Sequence, residues 1–125
     1  MQEILGVSVL SLFDPADRSA TANGSSVDIL NYEGQAAAIL QSAAGTGTNP
    51  TLDVKLQDSA DGSTGWADVT GAAFSQVTNA AASAQVVKFN ASAVQRYIRA
   101  VATVSGTIPL FTCAVSFVGK KQIIP

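Results

Sequence analysis

Residues 51–58 alternate strictly. Leu52, Val54 and Leu56 fall on one parity; Asp53, Lys55 and Gln57 fall on the other. Successive side chains of an extended strand point to opposite faces, so this pattern describes a strand with one buried and one wet side. Short apolar runs recur at residues 6–13, 27–30, 35–42, 85–89, 96–104 and 110–118, separated by Gly, Asn, Ser and Thr. Short strands with regular turn signals predict an all-β fold, a single antiparallel β-sandwich of seven or eight strands. At 125 residues the chain makes one domain with a real core, spanning residues 1–125.

The punctuation refines this outline. Asp14-Pro15 predicts a turn after the first strand, followed by a polar loop over residues 18–26. Residues 35–42 are helix-permissive by propensity, but their brevity between Gly34 and Gly45 favours a buried strand. Residues 43–50 read as a loop by composition, and residues 58–65 as a hairpin connection leading to Trp66. Phe74 and Val77 are expected to pin the Ala- and Ser-rich segment that follows. Asn90 is placed to cap a single helical turn. Gly106 and Pro109 predict that residues 105–109 turn the chain, so that residues 110–118 return as the last strand.

The chemical equipment is sparse. There is no histidine, which removes the commonest general base near neutral pH. The one cysteine, Cys113, excludes an internal disulfide and any multi-cysteine metal cage. It lies in the period-2 row Phe111-x-Cys113-x-Val115-x-Phe117 and reads as a buried core thiol rather than a nucleophile. Asp58, Asp61 and Asp68 invite a calcium reading, but they lack the spacing of a calcium loop and are ordinary turn residues. Glu3 and Glu33 are the only glutamates, and nothing nominates a catalytic carboxylate pair. The expectation is a protein that is not an enzyme, with no catalytic, metal or cofactor residues.

The formal net charge is −2 and the charges are scattered, with Lys120-Lys121 the only basic pair. That argues against nucleic-acid and anionic-membrane partners. The residues that nominate themselves lie on surfaces. Arg96 and Arg99 flank Tyr97, where they suit either a protein interface or an intramolecular ion pair with a strand aspartate such as Asp53. Ile4 and Leu5 near one end, and Ile123 and Ile124 near the other, are apolar and need cover. Residues 1–13 are therefore a candidate docking arm and residues 120–125 a docking tail. Pairing of residues 1–13 within their own sandwich is the competing reading.

Four stretches carry a resemblance. They are Val27-Asp-Ile-Leu-Asn-Tyr-Glu-Gly34; Leu52-x-Val-x-Leu-Gln-Asp-Ser59 with Asp61-Gly-Ser-Thr-Gly-Trp-Ala-Asp-Val69; Arg96-Tyr-Ile-Arg99; and the closing strand to Gly119-Lys120. Over residues 27–120 the chain resembles the head decoration, or cement, proteins of tailed bacteriophages. That resemblance implies a jelly-roll-like sandwich without catalytic residues. It also implies a homotrimer that binds the major capsid protein on the outer surface of the virion and is made in the host cytoplasm. A phage tail or fibre component, or a carbohydrate-binding β-sandwich using Trp66, Tyr32 or Tyr97, is the alternative.

Overall fold

The computed structural model describes residues 7–121. Its strands are β1 (Val7–Arg18), β2 (Ala22–Asn23), β3 (Val27–Asp28), β4 (Tyr32–Ser42), β5 (Thr46–Ser59), β6 (Ala67–Ala73), β7 (Ser83–Asn90) and β8 (Tyr97–Lys121). One strand organises them. β8 runs for 25 residues and is flanked along both edges. On one edge lie β1, β2 and β3 in succession, from Val7 opposite Lys120 to Asp28 opposite Tyr97. On the other lie β4 and β5, from Tyr32 opposite Lys121 to Ser59 opposite Tyr97. All of these pairings are antiparallel.

The three-ribbon sheet folds over on itself at a crease near residues 19–21, 43–45 and 105–109, where the β1–β2 and β4–β5 edges are interrupted and the β5–β8 ladder shifts register twice between Thr46 and Thr51. One resulting sheet has the order β7-β4-β8-β1, using residues 110–121 of β8. The other has the order β6-β5-β8, using residues 97–105, with β2 and β3 on its far edge. With the two halves of β8 counted separately, this is the strand order of a jelly roll. The seam between β6 and β7 is closed by a side chain. The Ser75 amide donates to Gln85 Oε1 at 2.7 Å, and Gln85 Nε2 donates back to the Ser75 carbonyl at 2.9 Å. One glutamine thus substitutes for a stretch of backbone ladder.

The core lies between the sheets. Leu52, Val54 and Leu56 point into it, as their parity predicts, against Leu12, Leu40, Ile98, Phe111, Val115 and Phe117. Tyr32 meets Phe117 edge to face, with centroids 5.0 Å apart. Phe74, Val77 and Cys113 are buried. Asn90 caps the 3-10 turn Ala91–Ala93, its side chain accepting from the Ser92 amide at 2.9 Å.

Four local expectations fail. Residues 18–26 are not all loop, since Ala22 and Asn23 pair with Ala102 and Val101 of β8. Asp14-Pro15 does not end β1; the strand runs on to Arg18, taking up the disturbance as two register shifts between Ser11 and Ala16. Residues 46–50 are strand rather than loop. Residues 105–109 bend the chain instead of reversing it, so residues 97–104 and 110–118 lie end to end and do not pair with each other. Gly106 (φ 121°) supplies the bend, and a longer residue there would strike the backbone of Asn49 and Pro50.

Candidate functional site

The outer face of the β6-β5-β8 sheet spends its polar groups on itself. Arg96 does not meet Asp53; it grips Asp28 across the β3–β8 ladder, with Nη2 2.8 Å from Oδ2. That hydrogen bond is the largest cause holding the Asp28 carboxyl below its ordinary value and raising Arg96. Asp53 instead accepts from Gln76 Nε2 at 3.0 Å. Arg99 donates twice to Gln57 Oε1, and its guanidinium lies 4.3 Å over the Trp66 ring. Asp68 accepts from Gln57 and pairs with Lys55 at 3.0 Å; these contacts, Gln57's first, lower its pKa. Trp66 is thus covered by a cation, and Tyr32 is buried. Tyr97, the third aromatic, is half-buried, with the Arg96 guanidinium 5.1 Å from its ring centroid.

The Asp61 carboxylate is the hub of the β5–β6 connection. It accepts from the amides of Ser63 and Thr64 and from the hydroxyls of Thr64 and Ser59, at 2.8–3.0 Å. Amide donation from Thr64, then Ser63, holds its pKa far below the usual carboxylate range. Its oxygens are engaged in turn chemistry, as the sequence favours. Cys113 sits behind Arg18, where burial pushes the thiol's pKa up and the guanidinium opposes the shift.

The outer face of the β7-β4-β8-β1 sheet is different. Reading across the strands, Val9 faces Val118, Val118 faces Ala37, and Ala37 faces Lys88. In the next row Ser11, Ser116, Ile39 and Val86 align, and then Ala114, Gln41 and Ala84. Val9 is 64% exposed and Val86 60%, rising from the two outer strands, while Ala37, Ile39 and Val118 form a half-buried floor. Depressions of about 540 and 590 Å³ lie at the two ends of this floor. One end carries Lys88 and Lys120, which form no ion pair among the described residues. The other carries Asp14 and Asp17, which accept from the outward hydroxyls of Ser11 and Thr112 at 2.6 Å.

At the crease Ile108 stands 86% exposed with φ 50°, next to the partly exposed Leu110. Left-handed backbone is unfavourable for a β-branched residue. The sequence reading passed over both this tip and the apolar sheet face. Of the residues it nominated, Arg96 and Arg99 belong to the polar face and are committed within the chain. Ile4, Leu5, Ile123 and Ile124 lie outside the described residues. Residues 7–13 of the candidate arm pair with the chain's own β8. Lys120 and Lys121 of the candidate tail end that strand.

Fold and surface together define an all-β jelly roll that presents one polar, internally paired face and one apolar face. No protein-family model matches the chain, and no curated protein matches it significantly.

Proposed function

We propose that this chain is a structural virion protein that decorates and stabilises a bacteriophage capsid by bridging neighbouring major capsid subunits. The observation that carries the reading is the crease tip. Ile108 is strained, apolar and exposed, so it gains nothing from its own core. Backbone strain of this kind costs about 1–3 kcal/mol and is characteristic of binding and switch sites. The jelly-roll path and the resemblance of the four stretches to phage cement proteins support the same reading. So does a polar face whose charges are used to stiffen the body.

The test is to mix the purified protein with undecorated, expanded tailed-phage capsids and image them by cryo-microscopy. Stoichiometric added density is expected, and Ile108→Asp should lose it while remaining folded by circular dichroism. Bare capsids at saturating protein would overturn the proposal.

A further inference from the structure

The outer face of the β7-β4-β8-β1 sheet is built as though covered on both sides. Residues 36–40 of β4 are apolar at every position, the signature of a strand buried on both faces, yet the chain itself covers only Ala36, Ala38 and Leu40. We propose that a second copy of this chain covers the other parity, sheet face against sheet face, in a two-fold dimer.

The charge layout selects that occupant. The floor between the outer strands is uncharged; one end carries Lys88 and Lys120 with Glu33 opposite Lys120, a net positive end, and the other carries Asp14 and Asp17. A two-fold axis lying in the interface across the strands sets each copy's lysine end over its partner's aspartate end. Lys120 then lies above the Asp17–Thr112 pair of the other copy. A face that is apolar in the middle and oppositely charged at its ends complements itself, as an isologous interface requires. Four strands spaced about 4.8 Å apart and about eight residues long give about 500 Å² per copy. The pair therefore buries about 1,000 Å², near the lower bound for a specific interface, so the dimer is expected to form at micromolar concentration or above. This assignment stands on the face alone and departs from the three-fold assembly implied by the resemblance. A three-fold ring joins two different patches, whereas this face matches itself.

Sedimentation equilibrium of the full chain, from about 1 to about 500 μM, reads the assembly without any capsid and independently of the virion reading. The expected species at the upper end has twice the 12.7 kDa mass of one chain. Val86→Glu, on an exposed outer-strand position, should weaken dimerisation at least about tenfold with a melting curve unchanged at about 1 μM or below, where the chain is largely monomeric. Lys120→Glu and Asp17→Lys should each weaken self-association, because each places like charges together across both ends of the interface. Mixed, the two variants should form a heterodimer at least as tight as the wild-type dimer, because both ends then pair opposite charges. A wild-type chain that stays at one-copy mass, or sediments at three copies, overturns the proposal. So does a Val86→Glu chain that dimerises normally, or a variant mixture that shows no gain over either variant alone.

Discussion

Gly45 lies in the crease between β4 and β5, its amide donating to the Thr78 carbonyl at 3.0 Å. A Cβ at this position would overlap the ring of Phe111, which is fully buried and cannot swing out to solvent. Gly45→Ala must therefore displace a core aromatic at the point where the two sheets turn into one another. Overpacking of this kind costs about 1–3 kcal/mol. Loss of glycine's freedom in the unfolded chain returns about 0.4–1 kcal/mol. The net expectation is a loss of about 1–2 kcal/mol, a fall in Tm of about 4–8 °C for a domain of this size. Urea denaturation followed by the fluorescence of the single tryptophan measures it. Phe111→Leu alone should also destabilise by leaving space. In the double variant the new methyl takes up that space, so the two losses should fall short of additivity by about 1 kcal/mol or more. Additive losses, or a Gly45→Ala chain as stable as wild type, would refute the overlap.

Three further outcomes are expected. Leu56→Ala, at a fully buried position, should cost about 2–5 kcal/mol, whereas Lys55→Ala, which breaks an exposed pair with Asp68, should stay within about 0.5 kcal/mol in the same titration; equal effects would mean that the register of β5 is wrong. Because the folded-state pKa of Asp61 is depressed, its contribution to stability is fully present above about pH 4 and is lost as the pH falls below that. Asp61→Ala should flatten the acid side of the stability–pH profile, and an unchanged acid slope would show that the carboxylate does not hold the turn. Arg99→Ala should uncover the Trp66 ring, shift its emission to the red and cost about 0.5–1 kcal/mol, while an unmoved emission maximum would show that the stack does not form in solution.

The sequence marks what is local. β5 is legible because Leu52, Val54 and Leu56 alternate with polar residues, and the Asn90 cap because its partner is two residues away. The passage of β8 through the crease was not legible. Gly106 and Pro109 signal a turn equally well whether the chain reverses or merely bends, and what decides between them is pairing with β1 and β5, far away in sequence. Arg96 makes the expected ion pair with a strand aspartate, but which aspartate was not legible, for the same reason. Asp28 and Asp53 are both strand aspartates, and only the placement of β3 beside residues 97–98 of β8 selects Asp28 for Arg96. The apolar outer face stayed hidden because Ala37 and Ile39 are indistinguishable in type from Ala36, Ala38 and Leu40. A run that is apolar on both parities shows that a strand is buried without showing what buries it.

The central ribbon is synthesised after every strand that pairs with it. β1 through β5 all take their backbone partners from residues 97–121, and the paired residues Val7 and Lys120 are separated by nearly the whole chain. At about 5–20 residues per second on a ribosome, the first strand waits several seconds or more for its partner to be made. Until then its backbone donors and acceptors face water, and the apolar run of β4 has only β7 beside it. The sheet therefore closes only after residues 97–121 are made, and its assembly belongs to the slow, non-local class of folding reactions.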